Sequence, residues 1–150
     1  MNCDRLETFD VGDNDTDLEI PGDLFVNLKN LKHLVLSQNR LHGEIPLELA
    51  NSSQLQVLDL SSNGLTGTIS SWMCSNTTDF SLEELILADN YLTGEIPSGL
   101  GLCRKLKKLN LSFNNFTGSI PLDIWMLPNL EELMNFLREF ADMEKAARNC

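Results

Sequence analysis

Large apolar residues recur along this chain at a fixed internal spacing. Counting from Leu31, leucines follow after three and five residues, an asparagine after eight, a leucine after ten, a glycine after twelve and an isoleucine after fourteen. The same pattern starts again at Leu55, Leu82 and Leu106, and in the last of these copies a phenylalanine replaces one leucine. A weaker copy, which lacks the glycine, starts at Leu6. The chain therefore contains an internal repeat of about 24 residues. Its turns start near residues 6, 31, 55, 82, 106 and 130.

Each repeated position has a physical role. The second and third leucines alternate with variable positions, and this period of two predicts a short strand with one buried face. The asparagine is expected to bond backbone groups of adjacent turns, and the glycine suits a turn in which a side chain would clash. Because no single repeat can bury its apolar face, the copies must stack, which predicts a right-handed solenoid with a parallel sheet. Extra residues within 75–81 lengthen one turn.

The spacing of apolar residues changes after Leu130. Later apolar residues follow the period of a helix and include Leu133, Leu137, Phe140 and Ala147. We therefore expect a solenoid over 1–133 and an amphipathic helix over 128–150 that covers the exposed core of the last turn. A last half-strand up to Met134 is an alternative for the start of this segment. A partner-binding helix and a foreign sequence joined to the repeats are alternatives to the cap.

Three of the repeats read LKHLVLSQNRLHGEIP, LEELILADNYLTGEIP and LKKLNLSFNNFTGSIP. This pattern is similar to the plant-specific class of leucine-rich repeats. The stretch from Trp72 to Leu133 resembles, more particularly, the brassinosteroid receptor kinases and related receptor-like kinases. The resemblance implies an α/β repeat fold, a leucine-rich-repeat solenoid with its short-stranded parallel sheet on the concave face and a second strand near each GxIP segment. It also implies an extracellular or cell-surface location.

The resemblance is incomplete. The steroid pocket of the brassinosteroid receptors needs an inserted island domain, and nothing in this sequence matches that island, so steroid binding is not expected. The first residues lack the basic-then-apolar pattern of a secretory signal, and no run of about 18 apolar residues predicts a membrane span. The sequence is therefore interpreted as an inner section of a receptor ectodomain, with a product truncated to such a section as the alternative.

The charge balance narrows the choice of partners. The chain has 11 lysines and arginines against 22 aspartates and glutamates, a formal net charge of -11. Such a surface repels phosphate backbones and anionic lipid headgroups, so nucleic acid and membrane surfaces are not expected as partners. The acidic residues are concentrated within 4–23, which indicates either a solvated face or a basic partner.

A binding site on such a scaffold is expected at the exposed strand positions of the concave face. The candidate residues are His33, Val35, Val57, Asp59, Glu84, Ile86, Lys108, Asn110 and Phe113. Four of them, Val35, Val57, Ile86 and Phe113, are apolar where water is expected, which is typical of a contact patch. Scattered exposed apolar residues are also normal on protein surfaces, and this remains the alternative.

Sequons and cysteines add candidate modification sites. The N-glycosylation pattern occurs at Asn14, Asn51, Asn76, Asn110 and Asn115. Asn76 is the best candidate because it lies in the lengthened turn, whereas the last two sequons arise from the repeat pattern itself. Cys3 and Cys103 share a repeat position that suits a small buried residue. A bridge between Cys74 and Cys103 across neighbouring turns is conceivable, and Cys150 is expected to be free.

No pattern in the sequence predicts catalysis, a metal site or a cofactor. Only His33 and His42 are candidate general bases, and neither has a nucleophile elbow beside it in the sequence. We therefore expect a non-catalytic scaffold that recognises a protein or peptide, as part of a receptor-kinase-like ectodomain. The alternatives are a stand-alone or engineered capped scaffold and a secreted inhibitor similar to the polygalacturonase-inhibiting proteins.

Overall fold

A computed structural model of the chain describes residues 3, 5–70, 74 and 80–134, and every repeat in that part contributes one strand to a common sheet. Each strand is three residues long. The six-stranded parallel sheet runs, in spatial order, through β1 (Thr8–Asp10), β2 (His33–Val35), β4 (Val57–Asp59), β6 (Glu84–Ile86), β8 (Lys108–Asn110) and β10 (Glu132–Met134). The predicted solenoid with a short-stranded parallel sheet is confirmed.

A second set of strands lies after each asparagine. It consists of two parallel pairs, β3 (His42–Glu44) with β5 (Gly64–Thr66), and β7 (Thr93–Glu95) with β9 (Asn115–Thr117). The far side of the turns carries 3₁₀ helices at Gly22–Val26, Leu47–Asn51 and Ser98–Leu102, and one short helix, α1 (Leu122–Trp125). The second strand that the family resemblance implied is therefore present.

The core is a stack of the repeated apolar residues. The central residue of a strand, such as Leu58 or Leu85, is almost fully buried, while the two residues beside it are half-buried. In register, Leu34 lies beside Leu58, and Leu58 lies beside Leu85. The period-two alternation in the sequence therefore separates one buried row from two rows of half-buried, solvent-facing side chains, as predicted.

The repeated asparagines connect neighbouring turns. Asn90 Nδ2 donates to the carbonyl oxygens of Leu60 (3.0 Å) in the preceding turn and Leu87 (3.2 Å) in its own, and Asn90 Oδ1 accepts from the N–H of Leu65 (3.0 Å). Asn39, Asn63 and Asn114 make the equivalent bonds. This ladder satisfies backbone groups where the chain leaves the sheet, which was the expected role of the asparagine.

The repeated glycines are required by the backbone. Gly67 and Gly94 have φ angles of 81° and 80°, which side chains disfavour. A Cβ at Gly94 would also lie 2.9 Å from Thr68 Cγ2 in the preceding turn. The predicted steric reason for the glycine is therefore correct.

The C-terminal segment differs from the expected helix over its first residues. Glu132–Met134 form β10 and pair with β8, so a last half-strand, the alternative noted from the sequence, forms there. The remainder of the predicted cap, residues 135–150 with Cys150, lies outside the described residues. The proposed boundary between solenoid and cap stays a prediction.

The cysteines behave in two ways. Cys74 and Cys103 form a disulfide with their Cα atoms 5.2 Å apart, and both residues are buried. The bridge joins the lengthened turn to the next one. The disulfide that the sequence left open as an alternative to simple packing of Cys103 therefore forms. Cys3 is exposed and free, and the expectation that it fills a small buried position was wrong, because the first turn has no earlier turn packed on it within the described chain.

Candidate functional site

The candidate site is the solvent-facing side of the six-stranded sheet, which we call the concave face. The first residue of each strand forms one row, in which His33, Val57, Glu84 and Lys108 lie side by side in register. The third residue of each strand forms a second row. Its members in the same four strands are Val35, Asp59, Ile86 and Asn110. Eight of the nine predicted site residues therefore occupy one continuous surface.

Part of this surface forms an open depression of about 460 Å³. Its lining residues come from three successive turns and are Ser61, Ser62, Ile86, Ala88, Asp89, Asn110, Ser112 and Phe113. Three predicted residues, Ile86, Asn110 and Phe113, come together in it. Val35 and Val57 lie on the same face but outside the depression, so the predicted apolar patch is divided.

Phe113 is a strongly exposed aromatic member of the site. Its relative exposure is 69%, and its φ of 54° is in the left-handed region. Asp89, the matching residue of the preceding turn, has a φ of 58°. These residues directly precede the repeated asparagine, where the backbone turns sharply after the strand. An aromatic ring is thus held at the rim of the depression by the backbone of its turn.

Apart from Asn110, the polar residues that line the depression were not among the predicted site residues. Ser61 donates from its N–H (3.0 Å) and from Oγ (2.6 Å) to Asp59 Oδ1. Ser112 makes the same two bonds to Asn110 Oδ1, at 3.1 and 2.7 Å. The signal that could have found them is an Asx residue followed two positions later by serine, which favours a local side-chain-to-backbone turn.

The lysines near the face are paired with carboxylates. Lys108 Nζ lies 3.2 Å from Glu132 Oε2 at one end of the face. Beside the same strands, Lys107 Nζ donates to Glu83 Oε2 (2.6 Å), and this hydrogen bond, together with the charge of Glu83, raises the pKa of Lys107. Among the described residues, no lysine or arginine lies within ion-pair distance of Glu84, Asp59 or Asp89. The middle of the concave face is therefore acidic.

The two histidines lie near the start of the chain. His33 Nδ1 lies 3.2 Å from Thr8 Oγ1 on the exposed surface. His42 Nε2 lies 3.6 Å from Asp17 Oδ1, and His42 Nδ1 lies 3.9 Å from Glu19 Oε1. The described part of the chain holds no group of three or more histidine, cysteine or acidic side chains placed to bind a metal ion. No helix of that part is long and apolar enough to cross a membrane.

The sequons occupy different environments. Asn51 and Asn115 are exposed at the ends of short elements away from the concave face. Asn14 is exposed, but its Nδ2 donates to the carbonyl oxygens of Val11 and Gly12 (both 2.9 Å). Asn110 is half-buried in the depression, and Asn76 lies outside the described residues. Glycosylation at these positions stays a prediction.

Comparison with known proteins agrees with the repeat and the sheet. A family model described as leucine rich repeat matches residues 4–65, and a second with the same description matches 81–103 and 105–127. Phytosulfokine receptor 1 of Arabidopsis thaliana is 40% identical over 71% of this chain and 13% of its own length. Receptor-like protein 18 of the same plant is 40% identical over 85% of this chain and 15% of its own. The chain thus spans less than a sixth of these relatives.

Solved structures that resemble this chain are also ectodomains of plant leucine-rich repeat receptors. The plant peptide hormone receptor RGFR1, in complex with RGF2, has a TM-score of 0.83 and 38% identity over 89% of this chain and 21% of that one. The ectodomain of the receptor kinase SOBIR1 from Arabidopsis thaliana has a TM-score of 0.75 and 30% identity, covering 86% of this chain and 69% of that one. The chain belongs to the leucine-rich repeat family of the plant receptors.

Proposed function

We propose that this chain is a non-catalytic recognition scaffold that binds a protein or peptide through its concave face. The single observation that carries the proposal is the depression around Ile86, where side chains of three turns meet in one open, partly apolar surface. Concave surfaces lined by a few apolar anchors and convergent polar groups are the usual ligand sites of proteins. Neighbouring strands hold these side chains in register, so little ordering is needed on binding.

The relatives support the class of partner. The similar solved structures include a plant peptide hormone receptor, RGFR1, in complex with RGF2, and PEPR1 in complex with AtPEP1. HAESA was solved with the peptide hormone IDA and the co-receptor SERK1. By this analogy the chain is a section of a receptor-kinase-like ectodomain at the cell surface, with a peptide or protein partner and with glycans on exposed asparagines such as Asn51 and Asn115.

The proposal predicts that substitution inside the depression removes binding and substitution on the far side does not. Random dodecapeptides displayed on phage are selected on the immobilised whole chain, and the recovered peptides are synthesised and their Kd values measured. Ile86→Ser takes an apolar anchor from the depression, so we expect binding to weaken about tenfold or more. Circular dichroism checks that the variant still folds.

Leu102→Ser is the matched control. Leu102 is an apolar residue at the surface, with 54% exposure, and it ends a 3₁₀ helix on the far side of the turns. The recovered peptides should bind this variant as they bind the native chain. If no peptide is enriched, or if both variants bind equally, the concave face is not the recognition surface.

A further inference from the structure

We propose that the partner segment which enters the depression carries a basic side chain next to an apolar one. This inference rests on the proposed function, and it adds the chemistry of the ligand at that site. It follows from three properties of the lining: where the apolar surface lies, where the carboxylates lie, and which hydrogen-bonding groups are still open to a ligand.

The apolar surface sits in the centre and at one rim. Ile86 is half-buried in the middle of the third-residue row, with Asp59 on one side and Asn110 on the other. Ala88 lies two residues further along the chain, and the Phe113 ring stands at the edge with 69% of its surface exposed. A leucine-sized or aromatic side chain placed on Ile86 and against this ring would remove apolar area of both partners from water.

Carboxylates surround that apolar centre. Asp89 lines the depression, Asp59 is the register neighbour of Ile86, and Glu84 precedes Ile86 by two residues on the same strand. Among the residues that the structure describes, no lysine or arginine lines the depression, and Lys108, the nearest base in the rows, is paired with Glu132. A Lys or Arg of the partner placed beside Asp59 and Asp89 therefore meets two carboxylates that no described lysine or arginine pairs with, whereas an acidic group is repelled by them. The charge of Glu84 is offset in part by Lys108, its register neighbour.

The hydroxyl groups point to the same ligand chemistry. Ser61 Oγ donates its one hydrogen to Asp59, and Ser112 Oγ donates its hydrogen to Asn110. A hydroxyl that has donated its hydrogen can only accept a further bond. The Ser61 oxygen and the Asp89 carboxylate are therefore acceptors in the lining, the Ser112 oxygen is buried with 4% exposure, and the Ser62 hydroxyl and the Asn110 amide can donate. Ammonium and guanidinium groups are donors without acceptor capacity, so they suit this lining.

The test uses the peptides selected on the whole chain and compares Asp89→Asn with Asp13→Asn. Asp13 is a matched control because it is also an exposed aspartate, holds the same position in its repeat, and has a φ of 55° against 58° for Asp89. Both substitutions remove one charge and keep a side chain that tolerates this conformation. Peptides with adjacent basic and apolar residues should bind Asp89→Asn about threefold to tenfold more weakly at low salt.

The same peptides should bind Asp13→Asn within twofold of the native chain, and raising the salt concentration should weaken native binding more than binding to Asp89→Asn. The control separates a contact in the depression from general attraction to an acidic protein. Enriched peptides that are acidic or uncharged, or that bind both variants equally, would overturn this inference. The proposed function would still stand in that case if Ile86→Ser weakened their binding, and it would fail together with the inference if no peptide were enriched.

Discussion

At the scale of single residues, the sharpest constraint is the left-handed position before each repeated asparagine. Its non-glycine occupants have φ angles of 54–58° and are Asp13, Gln38, Ser62, Asp89 and Phe113. Aspartate tolerates this region because its short side chain bonds locally, but a bulky aromatic residue is strained there by about 1–2 kcal/mol. The chain keeps that strain at the rim of the depression, where the ring is exposed.

Phe113→Gly should therefore stabilise the fold and weaken recognition at the same time. Removing the Cβ relieves the left-handed strain, so we expect the free energy of unfolding in urea to rise by about 1 kcal/mol. The variant also loses the aromatic rim, so the selected peptides should bind at least several-fold more weakly. Gln38→Gly is the matched control, because it changes the same repeat position (φ 55°) away from the depression. It should raise stability and leave peptide binding unchanged, and loss of stability in both variants would refute the strain argument.

How far the site follows from the sequence also depends on single residues. The rows containing Ile86 and Asn110 could be predicted, because a period of two assigns every strand residue to one side of the sheet. Phe113 was selected for its apolar side chain, whereas Asp89, at the same repeat position, was not, because an exposed aspartate before the repeated asparagine is also typical of a solvated turn. The sequence also could not predict that Val35 and Val57 lie outside the depression. The place of a depression depends on how far the side chains of three neighbouring turns project from the sheet, which is a tertiary property.

At the scale of elements, the irregular feature is the lengthened turn that starts at Leu55. Cys74, in this turn, is bonded to Cys103 in the next one, at a sequence separation of 29. Cys103 occupies the buried repeat position that Leu28 and Leu127 fill in other turns. The bridge therefore replaces an apolar contact of the regular repeat with a covalent link between two turns.

Replacing both bonded cysteines with alanine should destabilise the chain by roughly 3–4 kcal/mol, because a closed loop of this length restricts the unfolded state. The measurement is urea unfolding of the native chain and of the Cys74→Ala/Cys103→Ala double variant. Cys3→Ser changes an exposed, free cysteine and should unfold like the native chain. Adding a reductant should destabilise the native chain and leave the double variant unchanged. Equal stability of native and double variant would show that the bridge does not hold the turns together.

The elements differ in how well the sequence predicts them. The strands follow from the leucine pattern, because a buried row in a sheet requires every second side chain to be apolar. The start of the predicted C-terminal helix was wrong for a related reason. Leu130 and Leu133 are three residues apart, and this spacing belongs both to one face of a helix and to the first two leucines of the repeat. Stacking on β8 decides in favour of a strand, and stacking is a tertiary effect.

At the scale of the whole molecule, each turn contacts only its neighbours, so the stability of the chain is approximately the sum of the contributions of single turns and of the interfaces between adjacent turns. The asparagine ladder and the parallel register couple each turn to the next, and a turn at an end has a neighbour on one side only. At the C-terminal end, Ile124 is fully buried and Leu127 nearly so, whereas Leu130 and Leu133 are only partly buried against the core. The last described turn therefore exposes leucine surface that a following segment can cover.

If residues 135–150 form the predicted cap, removing them should lower the melting temperature of the whole chain. Half-exposed leucines at the end of a core lose about 1 kcal/mol each when their cover is removed, so we expect a decrease of roughly 5 °C and a broader transition by circular dichroism. Leu137→Ser/Phe140→Ser, which changes the predicted apolar face of the helix, should reproduce the decrease. Arg138 and Asp142 are charged residues four positions apart, which we expect on the opposite, polar face of the same helix, so Arg138→Ser/Asp142→Ser should melt like the native chain. A truncated chain that melts at the native temperature would mean that the solenoid tolerates an open end, and the segment's apolar face would then be free for a partner.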